Sequence, residues 1–336
     1  MLKSAIIGLG TVSSVHYNGI KKSRNGELVA VCDIDESRQF VYEDVPFYSD
    51  VEKMLDSVKI DVVHICLPHH LHHAVSKLCA EKGVHVFQEK PLAISYKEGL
   101  QTKEIAEKSA VKIGVCFQNR YNKSIVELKR ILAEEDTSWI VALKGLVAWN
   151  RPEIYYKSQP WRGKWETAGG GTIINQAIHT LDLMQWFGGD LRFCKASLSN
   201  LSNMDIEVED TAVANFTYDN GTRGFYMSTN AHALNSSVEF EVVTQKATYM
   251  IKENALFRIT AEYGMEKIVE DEVVEGTKFY YGASHATAIQ RFYDAVENDT
   301  DDYISVASAL PSMLMIDAMK KSSEENRSIN MIELME

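Results

Sequence analysis

A histidine, an asparagine and an aspartate are threaded through the apolar segment GGGTIINQAIHTLDL (169–183). At ~100° per helical residue, Asn175, His179 and Asp182 fall with Trp186 between about 80° and 140° from Ile174, away from a stripe of Ala177, Ile178, Leu181 and Met184. The pattern predicts one helix over 174–186 with a single polar line. Its other sides, including Leu183 and Phe187, are apolar, so the line is expected to face an interior cavity. A lone histidine on a buried helix is ordinarily a hydrogen-bonded core residue. Three polar groups at i, i+4 and i+7 need partners, and a polyhydroxylated substrate would supply them. An imidazole titrates near neutrality and is suited to take the hydroxyl proton when a secondary alcohol loses hydride, which makes His179 the candidate acid/base. Asn175 and Asp182 are candidate substrate ligands.

A second chemical feature is FQEKPLA (87–93), where Glu89 and Lys90 end a strand pattern stopped by Pro91. An ammonium group there would stabilise negative charge developing on a reacting oxygen, and Lys90 is the second catalytic candidate. The segment WNRPEIYYKSQPWRGKW (149–165) is dense in aromatic and basic residues. Aromatic faces pack on sugar rings and guanidinium groups bind carboxylates or phosphates, so Tyr156, Trp161 and Arg162 are candidate substrate contacts. A rigid loop packed on a sheet or on a neighbouring subunit explains the same composition.

The N-terminal stretch GLGTVSSVH (8–16) follows a strand pattern and opens a helical one. Gly8 and Gly10 occupy the first two positions of G-x-G-x-x-G, where a tight turn lets a pyrophosphate approach the backbone; small Ser13 takes the third. Asp33 stands twenty residues after Ser13, where a carboxylate accepts hydrogen bonds from a ribose diol and repels a 2′-phosphate. NAD is therefore expected over NADP, with nearby Arg38 leaving NADP open. Thr11 and Val12 complete the cofactor turn. Leu67, Pro68 and His72 follow the third strand, while Glu89, Lys90 and Gln118 close later ones, all at the expected cofactor edge. The four histidines of ICLPHHLHH (65–73) have no acidic co-ligand within the segment, and no metal site is expected.

The elements that position these residues divide the chain in two. Apolar strand patterns SAIIGLG (4–10), ELVAVCD (27–33), DVVHICLP (61–68), HVFQEK (85–90) and KIGVCFQ (112–118) alternate with helical segments, predicting a doubly wound parallel α/β domain over residues 1–119. From WIVALKGLVAWN onward, strands follow one another, and Asn220-Gly221 marks a hairpin whose two turn positions must tolerate positive φ. Residues 120–336 are expected to form an α+β domain on a large open, mostly antiparallel sheet, with helices at 171–187, 289–296 and 304–322; the last could pack back on the first domain.

A chain of 336 residues exceeds what one core usually spans. Its net charge of −12 argues against nucleic acid or anionic membrane as partner. The five cysteines show no metal or redox spacing, and neither a leader pattern nor a membrane-spanning apolar run is found, so the expected location is cytoplasmic.

With GLGTVSSVH, VCDIDESR, ICLPHHLHH, EKP at 89–91 and GGG-x4-QAIH-x2-D at 169–182 in this order, the chain resembles the glucose-fructose oxidoreductase and inositol dehydrogenase family, Gfo/Idh/MocA, over its whole length. The resemblance implies a nicotinamide cofactor, substrates among sugars, sugar derivatives and cyclitols, and a sheet that often serves as an oligomer interface, hence a homo-oligomer. It assigns Lys90 to the active-site lysine and His179 to the acid/base histidine, and it places His285 near the substrate. Asn175 stands where many relatives have aspartate, and Leu67-Pro68-His69 replaces the usual T-P-N. A cofactor-binding sensor without turnover and an NAD-assisted glycoside hydrolase are the alternatives. The intact Lys90 and His179 favour the dehydrogenase or reductase.

Overall fold

The computed structural model describes residues 1–134, 140–272 and 284–335. Trp139, which opens WIVALKGLVAWN, lies outside them. The chain forms two compact units, Met1–Gln118 with Ser284–Leu310, and Asn119–Ala283 with Pro311–Glu336. The helix His285–Asn298, read from sequence as part of the second domain, therefore belongs to the first.

The first unit is built on six parallel strands: β1 (Leu2–Ile7), β2 (Gly26–Cys32), β3 (Phe47–Tyr48), β4 (Val62–Ile65), β5 (His85–Gln88) and β6 (Ile113–Val115). Their order is β3-β2-β1-β4-β5-β6, so the winding reverses between β1 and β4 and opens a crevice at the carboxyl ends of these strands. Ala5–Ile7 of β1 and all of β4 are buried, as continuous β-branched runs require when helices cover both faces. Five strands follow the sequence patterns. The two-residue β3 was too short to leave one.

The second unit carries β7 (Ile140–Ala148), β8 (Leu191–Ser199), β9 (Thr211–Tyr218), β10 (Arg223–Thr229), β11 (Glu239–Thr244), β12 (Thr248–Lys252), β13 (Ala255–Thr260), β14 (Gly264–Glu270) and β15 (Ile329–Asn330). They form a nine-stranded sheet, β14-β13-β12-β11-β7-β10-β9-β8-β15, in which β7 and β10 are parallel and the other neighbours antiparallel. Alternation gives it one apolar face: Leu143, Val147, Phe216, Tyr226, Phe240 and Val242 are buried. The helix Ile178–Gly188 lies on that face, with Phe187 and Phe240 ring centroids 5.5 Å apart.

The hairpin between β9 and β10 forms at Asn220-Gly221, but only Gly221 has positive φ (89°). The Gly221 N–H donates to Tyr218 O, so a type I turn followed by a left-handed glycine replaces the expected two-residue mirror-image turn, and the Asn220 side chain accepts from Thr222 N instead.

Candidate active site

In the first unit the chemistry collects at the carboxyl ends of the parallel strands. Gly8 has φ +91°, and a Cβ there would lie 2.6 Å from Cys66 O, so any side chain would collide with the loop after β4. The Asp33 carboxylate accepts from Leu9 N at 2.7 Å and from Asp35 N at 2.9 Å, which fixes it at the end of β2 against the glycine turn. Arg38 Nη1 stands 3.6 Å from Asp33 and 4.0 Å from where a Gly10 Cβ would be. The helix Ser13–Lys22 begins at Val12 without a side-chain cap, so its amide-rich end is left for an anion. Exposed Thr11 and half-buried Val12 form the turn itself. These groups fit NAD: a side-chain-free turn for the pyrophosphate and an oriented carboxylate for the ribose.

Two expected cofactor contacts, His72 and Glu89, have their side chains engaged inside the first unit. His72 is fully buried, with Nδ1 2.7 Å from Pro91 O and Nε2 2.9 Å from Leu67 O, so it joins two loops and cannot itself face a ligand. Glu89 is buried as well; it bonds His16 Nε2 at 2.9 Å and accepts from Lys90 N at 3.3 Å. Pro68 and Leu67 are half-buried at the edge, and Gln118 is buried beside Cys116. Lys90 is half-buried and precedes a cis peptide to Pro91. Sequence reasoning missed Gln88, whose amide accepts from Ser76 Oγ and donates to Pro91 O and Leu92 O, bracing the turn after Lys90. A glutamine inside a fully buried strand end was the available signal.

In the second unit the glycine-led segment differs from the expected single helix. One turn, Thr172–Asn175, is followed by a break, and the next helix starts at Ile178. Ala177 N bonds back five residues to Thr172 O at 2.8 Å, and this wide turn takes Asn175 and His179 off a common helical line. The segment is held at its start as well. Buried Glu209 accepts from Gly171 N at 2.9 Å and from Ile173 N at 3.0 Å, while its carbonyl accepts from Thr172 N. A Cβ on Gly171 would lie 1.8 Å from Glu209 O, so this position must be glycine. Burial raises the Glu209 pKa, and the two amides oppose the rise.

His179 is 4% exposed. Asn175 Nδ2 donates to Tyr155 Oη at 3.2 Å, beside Gln176 Nε2 at 2.9 Å. The Arg162 guanidinium lies 4.1 Å from the Tyr155 ring centroid, and half-buried Trp161 is its neighbour. Tyr155 thus takes the place expected of Tyr156. Tyr156 is 4% exposed and its hydroxyl accepts from Asn230 Nδ2, a core bond that leaves it no ligand face.

Asp182 is likewise committed elsewhere. Its carboxylate is held by Arg120 through Nε at 2.7 Å and Nη2 at 2.6 Å, and by Ser312 Oγ at 2.9 Å. Both members of the ion pair are almost fully buried, and Arg120 also stacks over Trp186 at 5.2 Å. Asp182 is therefore an anchor of its helix, where a substrate ligand had been expected. His285, in the first unit, places Nε2 3.8 Å from Glu89 Oε1.

A parallel sheet of this winding with a glycine turn and an acidic strand end defines a dinucleotide-binding oxidoreductase unit. The model of the GFO/IDH/MocA oxidoreductase family with its NAD-binding Rossmann fold matches residues 2–117, and that of the GFO/IDH/MocA C-terminal domain matches residues 125–250. The chain belongs to this family. It is 26% identical over 226 residues to the uncharacterized oxidoreductase YrbE of Bacillus subtilis (strain 168), a match covering 65% of this chain and 64%, less than two thirds, of that protein. It is 22% identical over 354 residues to myo-inositol 2-dehydrogenase of Thermotoga maritima, covering 99% of each. The WlbA dehydrogenase of Chromobacterium violaceum, solved with NADH and UDP-GlcNAcA, superposes with a TM-score of 0.86 at 26% identity over 98% of this chain and 95% of that one. Among the described residues no helix is long and apolar enough to cross a membrane.

Two stability measurements check the second unit. Arg120→Met strands a buried carboxylate and should lower the unfolding free energy in urea by about 3–5 kcal/mol, with Asp182→Leu added to it restoring most of the loss. Gly171→Ala should cost about 3 kcal/mol in the same assay, because the Glu209 carbonyl has to move.

Proposed function

We propose that the protein is an NAD-dependent oxidoreductase moving hydride between the nicotinamide and a secondary alcohol or ketone of a sugar, sugar derivative or cyclitol. The observation that carries this reading is Lys90, held at the end of β5 by a buried glutamate in a chain whose two parts both match one oxidoreductase family. Bound NAD would supply the hydride acceptor. Gly8, Asp33, Arg38 and the start of the helix Ser13–Lys22 would hold it. In oxidation His179 takes the hydroxyl proton and Lys90 stabilises the negative charge growing on the oxygen; in reduction His179 returns the proton. Asn175 carries no charge, and with Tyr155 it orients a hydroxyl or the imidazole. Tyr155, Trp161 and Arg162 offer the stacking and guanidinium groups that a carbohydrate with polar substituents requires. The sugar and cyclitol substrates of the relatives support this class.

Steady-state NADH production or consumption with a panel of inositols, aldoses, uronates and their keto forms tests the assignment. Lys90→Ala and His179→Ala should each lower kcat by about 10²- to 10⁴-fold on an active substrate. Turnover unaffected by either change would overturn the role of that residue.

The active form is further assigned as a homo-oligomer joined through the outer face of the nine-stranded sheet. Register aligns Val213 with Met227, and Asn215 with Phe225 and Lys144. Val213, Met227 and Phe225 are 46%, 40% and 58% exposed, a large apolar surface to leave uncovered. Lys144, Glu239, Glu241 and Lys252 border it with both signs of charge, which suits a second copy of the same face. Phe225→Glu should shift the protein to a smaller species in light scattering; a wild-type monomer would sink this assignment.

A further inference from the structure

Behind Lys90 the first unit buries a line of polar side chains from four distant parts of the sequence. Ser4 on β1, His64 on β4, His16 on the helix Ser13–Lys22 and Tyr293 on the helix His285–Asn298 are 0% exposed, and Glu89 is 6% exposed. Ser4 Oγ lies 2.6 Å from Tyr293 Oη, which lies 2.8 Å from His64 Nε2. His64 Nδ1 lies 2.9 Å from His16 Nδ1, and His16 Nε2 lies 2.9 Å from Glu89 Oε1. Glu89 Oε2 accepts from the backbone N–H of Lys90 at 3.3 Å.

Two imidazole nitrogens facing each other at this distance share a single proton: two lone pairs repel, and two N–H groups collide. The chain therefore has two directions. In the outward one His16 donates to His64, His64 Nε2–H donates to Tyr293, and Tyr293 donates to Ser4. His16 then also donates to Glu89, so it is an imidazolium paired with a carboxylate. In the inward one every bond beyond His16 reverses, His16 is neutral, and the line holds one proton fewer. The ionised Glu89 is then left without its neutralising partner.

The groups facing His16 decide between them. Burial pushes the Cys66 and Cys116 thiols up, leaving both neutral near neutral pH. Burial, aided by His16, holds His64 well below its ordinary range, which matches a neutral ring accepting at Nδ1. Tyr293 is also pushed up by burial and stays a phenol. Burial opposes charging both His16 and Glu89; against it Cys66 and then Glu89 raise His16, while His16, with His285 and Lys90 adding to it, lowers Glu89. Burial keeps the Cys66 thiol neutral, and the Glu89 carboxylate, 2.9 Å from His16 Nε2, is the ionised group bonded to the imidazole.

We propose that this line is a proton lock for the reaction site, in which His16 is a positioning residue kept as an imidazolium by its fixed hydrogen-bond direction, so that Glu89 is neutralised from behind and the charge of Lys90 stays available to the reacting oxygen. The consequence for catalysis rests on the proposed role of Lys90; the lock itself does not. Reversal of the line would leave the Glu89 carboxylate beside Lys90 uncompensated and would damp the field of the ammonium group.

Nitrogen-15 histidine NMR on the full-length protein reads the lock without any activity measurement. His16 and His64 signals are assigned by their loss in His16→Gln and His64→Gln. In the wild type near neutral pH, both His16 nitrogens should be protonated and His64 should be the neutral Nε2–H tautomer. Tyr293→Phe leaves His64 Nε2 without a partner in either direction; an orphaned buried N–H costs more than an unfilled lone pair, so the reversed direction gains and His16 deprotonation should come down by about one pH unit or more. In that variant kcat should fall on the order of tenfold, with the KM for NAD unchanged within about twofold and the alkaline limb of the kcat profile moved downward together with His16 deprotonation. A wild-type His16 with a single protonated nitrogen overturns the proposal. So does a divalent metal present in the purified wild type at one per chain and lost in His16→Gln, since His16, Glu89 and Cys116 could together hold an ion in place of the proton. If the NMR states hold while Lys90→Ala leaves turnover intact, the lock stands and the function assigned to Lys90 fails.

Discussion

Two backbone amides, those of Gly171 and Ile173, end on the carboxylate of Glu209, and the course of the candidate acid/base segment depends on that contact. A side-chain cap on a helix start satisfies donors that would otherwise be buried and unpaired. The cap comes from the loop before β9, so the helical turn is tied to the sheet before it has completed a second turn. The wide turn at Ala177 follows, and only then does the helix bearing His179 and Asp182 begin. Arg120 and Ser312 fix this second helix from other parts of the same unit. His179 thus projects from a segment clamped on both sides of it, which gives this candidate acid/base group a defined position.

Three buried carboxylates are neutralised in three different ways. Glu209 uses backbone amides, Asp182 a bidentate guanidinium, and Glu89 an imidazole. The differences matter because an amide cap has no proton to lose and an arginine keeps its charge at any ordinary pH, whereas an imidazole can titrate. The titratable partner is found at the strand end that carries Lys90. The two permanent ones hold the scaffold of the other unit.

Much of this architecture was legible in the sequence. Continuous β-branched runs gave five of the six parallel strands, and period-two alternation with Asn220-Gly221 gave the antiparallel sheet. What stayed hidden depends on contacts remote in sequence. Arg120 is 62 residues from Asp182, and His64 is 229 from Tyr293, so no local pattern links them. Helical periodicity also assumes an unbroken helix, and a bond reaching back five residues violates that assumption without altering composition. Tyr155 and Tyr156 are adjacent and chemically alike; only the path of the backbone decides which of them meets Asn175. The clue that could have been used was polarity out of place: His64 within a strand of valine and isoleucine, and Gln88 at a buried strand end, each had to have a partner.

The return of residues 284–310 to the first unit makes that unit discontinuous in the chain. During synthesis the six parallel strands emerge within the first 115 residues, yet Tyr293, which contacts both Ser4 and His64, is made only after nearly the whole second unit has appeared. The first unit therefore waits, incomplete, with buried polar groups unpaired until most of the second unit has been made. Cutting the gene between the two halves would separate the nucleotide-binding sheet from a part of its own interior.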